Sequence, residues 1–98
     1  MGLTVRLQDE HGKPKCESDI GIDFHIPTGD LSFRLLCYID PYGNTLFNQL
    51  QMETFLAEWE KIRREAKTQD EAAAWSSVKQ LATKCRNDMH LYLRFMGD

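Results

Sequence analysis

The sequence predicts an α+β fold: an antiparallel sheet of three or four strands, covered on one face by an antiparallel helical hairpin, in the order β-β-β-α-α-β. Three observations lead there. Apolar residues alternate with polar ones along much of residues 3–39, the period of a half-buried strand. From Met52 to Met89 the apolar spacing changes to three and four, the period of amphipathic helices. From Leu91 to Phe95 alternation returns. A run of strands followed by a run of helices segregates the helices to one side of the sheet.

The first strand is read from Leu3, Val5 and Leu7, which alternate with Thr4, Arg6 and Gln8. Asp9-Glu10-His11-Gly12-Lys13-Pro14 carries turn residues. Ile20, Ile22, Phe24 and Ile26 then alternate with Gly21, Asp23, His25 and Pro27, the cleanest strand pattern of the chain. Pro27-Thr28-Gly29-Asp30 is read as a tight hairpin connection into a third strand, Leu31 to Ile39. One face of that strand carries Leu31, Phe33, Leu35, Cys37 and Ile39, and the other carries Arg34, Leu36 and Tyr38. Asp40-Pro41-Tyr42-Gly43 closes it as a β-turn.

The first helix is expected from Gln49 or Met52 to Lys67, with Met52, Phe55, Leu56, Trp59, Ile62 and Ala66 on one face. Glu58, Glu60 and Glu65, interleaved with Lys61, Arg63, Arg64 and Lys67, read as a solvated mixed-charge face. Asn48 with Gln51, and Thr68 with Glu71, have the spacing of capping boxes. The second helix presents Ala72, Trp75, Val78, Leu81, Ala82, Cys85 and Met89 inward. The short connection makes the two helices antiparallel. Residues 90–96 could extend the second helix, but their aromatic, alternating pattern favours a last strand returning to the sheet, and the core is expected to centre on Phe33, Leu35, Phe55, Trp59, Trp75, Val78 and Leu81.

The chain has 98 residues, the length of one domain, with a thin core that dimerisation would thicken. Its 15 acidic and 12 basic residues give a formal charge of −3, without the clustered basic face that nucleic acid requires. No apolar run approaches the roughly 20 residues of a membrane span, and the first residues lack the pattern of a signal peptide. Cys16, Cys37 and Cys85 are odd in number and scattered, so no disulfide framework is expected and a reducing cytoplasm fits.

Motifs of chemistry are sparse. Asp23 and His25 share a strand face at i and i+2 and are the best pair of metal ligands, but no zinc-type spacing accompanies them. Cys16, between Lys15 and Glu17, is the thiol most exposed by pattern, yet no signature of a catalytic cysteine surrounds it. Glycines stand singly at turns rather than in a phosphate loop. No cofactor or metal is expected.

The segment Tyr38 to Gln51 is the richest in binding chemistry. It mixes large apolar residues with carboxamides and a carboxylate. Asp40, Tyr42, Asn44 and Asn48, flanked by Tyr38 and Arg34, form the candidate partner-binding set, with Tyr42 as an anchor at a turn tip. A structural reading stands beside it: Asp40 and Asn44 satisfy turn amides, Phe47 and Leu50 plug the core, and Asn48 caps the helix.

Tyr38-Ile39-Asp40-Pro41-Tyr42-Gly43-Asn44-Thr45, Phe47 to Met52, and the ending His90 to Asp98 resemble small bacterial one-domain proteins of uncharacterised function. The resemblance implies a bacterial cytosolic protein and carries no activity. The expectation is a non-catalytic protein-binding module, in its most concrete form a toxin-neutralising immunity protein. The alternatives are a self-associating domain, such as a homodimer joined through the face carrying Arg34, Leu36 and Tyr38, and a small enzyme or metal protein using His25, Asp23 and Cys16. The partner is another protein, with no nucleic acid and no membrane.

Overall fold

The computed structural model describes residues 2–97. Its elements are β1 (Leu3–Asp9), β2 (Ile20–Ile22), β3 (Asn44–Asn48), α1 (Met52–Lys61), α2 (Gln69–Arg86) and β4 (Leu91–Met96). The order is β-β-β-α-α-β, and the fold is α+β. The four strands form one antiparallel sheet in the order β2-β1-β4-β3, so the last strand inserts between the first and the third.

Alternation along β1 and β4 divides the sheet into two faces. Leu3, Val5 and Leu7 of β1, Leu93 and Phe95 of β4 and Phe47 of β3 are buried on the inner face. Both helices pack there. Each begins at a capping box: Asn48 with Gln51 sets the short 3-10 turn leading into α1, and Thr68 with Glu71 starts α2. The helices run antiparallel, since Gln49 just before α1 donates to the Arg86 carbonyl at the end of α2. At the other end of the pair, two tryptophans bond reciprocally. Trp59 Nε1 donates to the Trp75 carbonyl at 3.0 Å, and Trp75 Nε1 donates to the Trp59 carbonyl at 2.9 Å. Arg63 and Lys79 lie over the Trp75 ring at 5.2 and 5.5 Å, and Lys79 also pairs with Glu60. Phe55 stacks on Trp59 with ring centroids 5.4 Å apart, and Phe95 touches both rings from the sheet.

The third strand is not where the alternation placed it. Residues 31–39 form turns and a 3-10 turn at Leu36–Tyr38, and the pairing partner of β4 is Asn44–Asn48. The cause is Glu58. This α1 carboxylate is buried and accepts the backbone N–H groups of Arg34, Leu35 (3.0 Å) and Leu36 (3.1 Å). Amides committed to a carboxylate are lost to a strand ladder. Glu58 therefore does not belong to the solvated charged face.

Further corrections follow from that exchange. Leu36 is fully buried, Leu31 is exposed, and Phe33 and Leu35 only flank the core. Arg34, Leu36 and Tyr38 share no sheet face. The turn at Pro27–Asp30 exists, with Gly29 at φ +79°, but leads into no hairpin strand. Strand two pairs only over Ile20–Ile22, although burial still alternates through Phe24 and Ile26. Helix α1 stops at Lys61, followed by a 3-10 turn at Arg63–Glu65, and α2 stops at Arg86, which leaves Met89 exposed. Leu50 projects outward and plugs nothing.

Candidate recognition surface

Among the described residues no helix packs on the outer face of the sheet. The register sets its side chains in three rows. Thr4, Met96 and Asn44 stand side by side, then Arg6, Arg94 and Leu46, then Gln8, Tyr92 and Asn48. Asn44, Leu46 and Asn48 are exposed, while Tyr92, Arg94 and Met96 are half-buried. The two arginines of the middle row differ in state. Arg6 is held by Asp19 through two hydrogen bonds of 2.9 and 2.8 Å. This pairing raises the Arg6 pKa and lowers that of Asp19. Among the described residues Arg94 makes one long contact, 3.4 Å from Nη1 to Gln8 Oε1, and its buried Nε has no hydrogen-bond partner.

Of the candidate set, Asn44 and Asn48 stand on this face, at the two ends of β3, and Asp40 and Tyr42 lie in the turn that leads into it. Asp40 organises the turn: its Oδ1 accepts the Tyr42 N–H at 2.9 Å, and its own N–H donates to Thr45 Oγ1 at 3.0 Å. Gly43 gives this carboxylate room, since a Cβ there would sit 2.6 Å from Asp40 Oδ2. The end of β4 is locked against the same turn, with Gly97 N–H donating to the Gly43 carbonyl at 2.7 Å. Tyr42 is 74% exposed and Tyr38 69% exposed. Asn48 spends its side-chain carbonyl on the Gln51 amide at 3.2 Å. The turn thus uses Asp40 and Asn48 structurally and leaves the ring of Tyr42 and the side chain of Asn44 facing outward. Arg34 is elsewhere, in a shallow groove on the helix side with Ser32, Glu53, Ala57 and Lys61.

Asp23, His25 and Cys16 do not converge. Asp23 and His25 line a cleft of about 250 Å³ beside Leu3, Phe24, Ile26 and Pro41. Cys16 sits at the other end of β1, its Sγ donating to the Leu7 carbonyl at 3.7 Å. Leu3 and Leu7 are four strand positions apart, about 13 Å. Among the described residues no three His, Cys, Asp or Glu side chains gather as a metal site. Cys85 is buried beneath the Leu91 carbonyl, and burial pushes its thiol up to about 11. No helix among the described residues is long and apolar enough to cross a membrane.

Sequence reasoning missed Glu58 and Gly97, and it set Arg94 beside Tyr92 on a polar strand face without including it in the candidate set. Glu58 had a signal: 55, 58, 59 and 62 share the inner face of α1 at helical spacing. Arg94 had only its place between two inward residues of a strand. No family model, no curated protein and no solved structure matches the chain.

Proposed function

We propose that this chain is a protein-binding module that engages its partner through the helix-free face of the sheet. The observation that carries this reading is Arg94. It lies at the centre of the face, in no ion pair among the described residues, and the one side-chain bond its terminal nitrogens make there is long, 3.4 Å from Nη1 to Gln8 Oε1. A guanidinium in that state accommodates a carboxylate or main-chain carbonyl from outside. Tyr92 and Met96 on the same strand supply apolar contact area, and tyrosine, methionine and arginine are the residue types enriched at interfaces. Asn44 and Asn48 provide polar groups at the rim. The partner is accordingly a protein presenting an acidic or carbonyl-rich surface. In its most concrete form it is a protein toxin encoded beside this chain.

The test has two stages. A photo-crosslinking residue placed at Tyr92 or Met96 in living cells should capture a defined protein, while one at Ala73 on the outer side of α2 should not. With that protein purified, Arg94→Ala should weaken binding about 30-fold, as loss of a hot-spot arginine does, with the melting temperature unchanged. Capture from Ala73 alone, or undiminished binding by Arg94→Ala, overturns the reading.

A further inference from the structure

The two edges of the sheet are built differently. The β2 edge is guarded: it pairs over three residues, contains Gly21 and is flanked by Asp19 and Asp23. Short edge strands and nearby charges are the usual means of preventing edge-to-edge association. The β3 edge has none of these. Its sequence, Asn44-Thr45-Leu46-Phe47-Asn48, contains no charge and no proline.

The hydrogen-bond phase of β3 follows from the bond between Gly97 N–H and the Gly43 carbonyl. It makes Gly43–Gly97 a hydrogen-bonded pair, so Thr45–Phe95 and Phe47–Leu93 are hydrogen-bonded pairs as well. The N–H and C=O groups of Asn44 and Leu46 then point away from β4, to the open edge. Asn48 fits this phase, because its N–H turns outward to Gln51 Oε1 at 2.8 Å. No side chain or backbone group among the described residues covers the outward groups of Leu46 in this way.

We infer that β3 pairs antiparallel with β3 of a second copy of this chain, across a two-fold axis at Leu46. Three features select a second copy. Leu46, at the centre of the strand, would exchange N–H···O bonds in both directions with the partner's Leu46, as an isologous contact requires. Asn44 would face the partner's Asn48, so no like charges oppose. The flanks are self-complementary too. Tyr42 and Leu50 lie four residues before and four after Leu46, and they are 74% and 89% exposed. An antiparallel pairing brings Tyr42 of each copy to the end where the partner's Leu50 stands. These contacts extend a strand pairing that is by itself short for a stable interface. Three of the exposed large apolar residues, Tyr42, Leu46 and Leu50, thereby gain one common explanation. The dimer would continue the helix-free face across both copies and leave Arg94 accessible.

Purified protein alone tests this. Analytical ultracentrifugation should show a monomer–dimer equilibrium. Leu46→Lys, which sets two ammonium groups opposite each other on an exposed position, should weaken dimerisation more than about tenfold while the circular dichroism spectrum is unchanged. Arg94→Ala should leave the dimer intact, which separates this inference from the foreign-partner reading. Amide exchange of the unmodified chain needs no variant: Leu46 N–H should be protected at high protein concentration and exchange freely on dilution, while Thr45 and Phe47 stay protected throughout. A chain that is monomeric up to about 1 mM, a dimer that survives Leu46→Lys, or a dimer in which Leu46 N–H exchanges freely overturns the pairing.

Discussion

Glu58 is the residue that anchors the irregular segment before β3 to the helices. Its two oxygens accept three consecutive amides, of Arg34, Leu35 and Leu36, and so tie the turn-rich segment before β3 to the inner face of α1. Removing the acceptor would strand those amides in a largely dry site, and a buried unsatisfied donor costs about 1–3 kcal/mol. Glu58→Ala should therefore destabilise by roughly 3 kcal/mol or more in urea titration, while Glu58→Gln, which keeps one acceptor oxygen, should cost less. Equal, small losses for both would show that the amides find water instead. Trp59 offers a second test at this scale. It is fully buried against Phe24, Phe55 and Phe95 and bonded to the opposite helix. Trp59→Ala should cost roughly 3–5 kcal/mol. Trp59→Phe, which keeps one aromatic ring in the stack but loses the indole N–H and part of the buried ring volume, should cost less, about 1–3 kcal/mol.

At the scale of elements, β1, β4, α2 and both capping boxes were legible because each is specified locally. Their apolar periods are long enough to read, and their caps lie three residues from the residues they serve. The third strand was not legible. Residues 31–39 alternate like a strand, but their amides are taken by a carboxylate 22–24 residues away, which no local period reveals. The true strand, Asn44–Asn48, buries only Phe47 because it is an edge, so it shows almost no alternation of apolar residues. The candidate site divides in the same way: composition alone nominates Tyr42, Asn44 and Asn48, whereas Arg94 becomes a candidate only once β4 is known to lie between β1 and β3. The placement of β4 has its own requirement at its end. A Cβ on Gly97 would lie 2.3 Å from the Pro41 carbonyl oxygen and 2.7 Å from the Tyr42 nitrogen. These are backbone atoms of a turn held by Asp40, so they have little freedom to move. Gly97→Ala should lower the melting temperature and raise amide exchange at the Gly43–Gly97 end of the sheet, whereas Gly21→Ala, which meets nothing within 4 Å, should leave that end undisturbed.

For the whole molecule, charge couples the loops to the sheet, and the coupling sets how stability depends on pH. Three aspartates have pKa values held below the ordinary carboxylate value of 3.8. Asp9 is lowered chiefly by the Lys13 amide, which its carboxylate accepts together with the His11 amide in the turn after β1. Asp19 is lowered chiefly by its hydrogen bonds to Arg6, which fasten the segment before β2 to β1. Asp30 is lowered chiefly by the Ser32 hydroxyl, at the start of the irregular segment. A carboxylate whose folded pKa lies below its unfolded one binds fewer protons in the folded state. Its contribution to stability is present above the unfolded pKa and is lost as pH falls through the folded one. Cys85 acts at the other limit. Burial raises its thiol from 9.0 to about 11, so above pH 9.0 the unfolded chain releases a proton that the folded chain keeps, and stability falls as pH rises toward 11. The melting temperature should thus be level from about pH 5 to 8 and decline below about pH 4 and above about pH 9. Differential scanning calorimetry across that range checks the shape, and two variants assign it. Asp19→Asn should lower the plateau slightly and shallow the acid limb, and Cys85→Ala should flatten the alkaline limb whatever it does to the plateau. An acid limb unchanged in Asp19→Asn would mean that the Arg6–Asp19 pair does not hold the β2 edge to the sheet in solution.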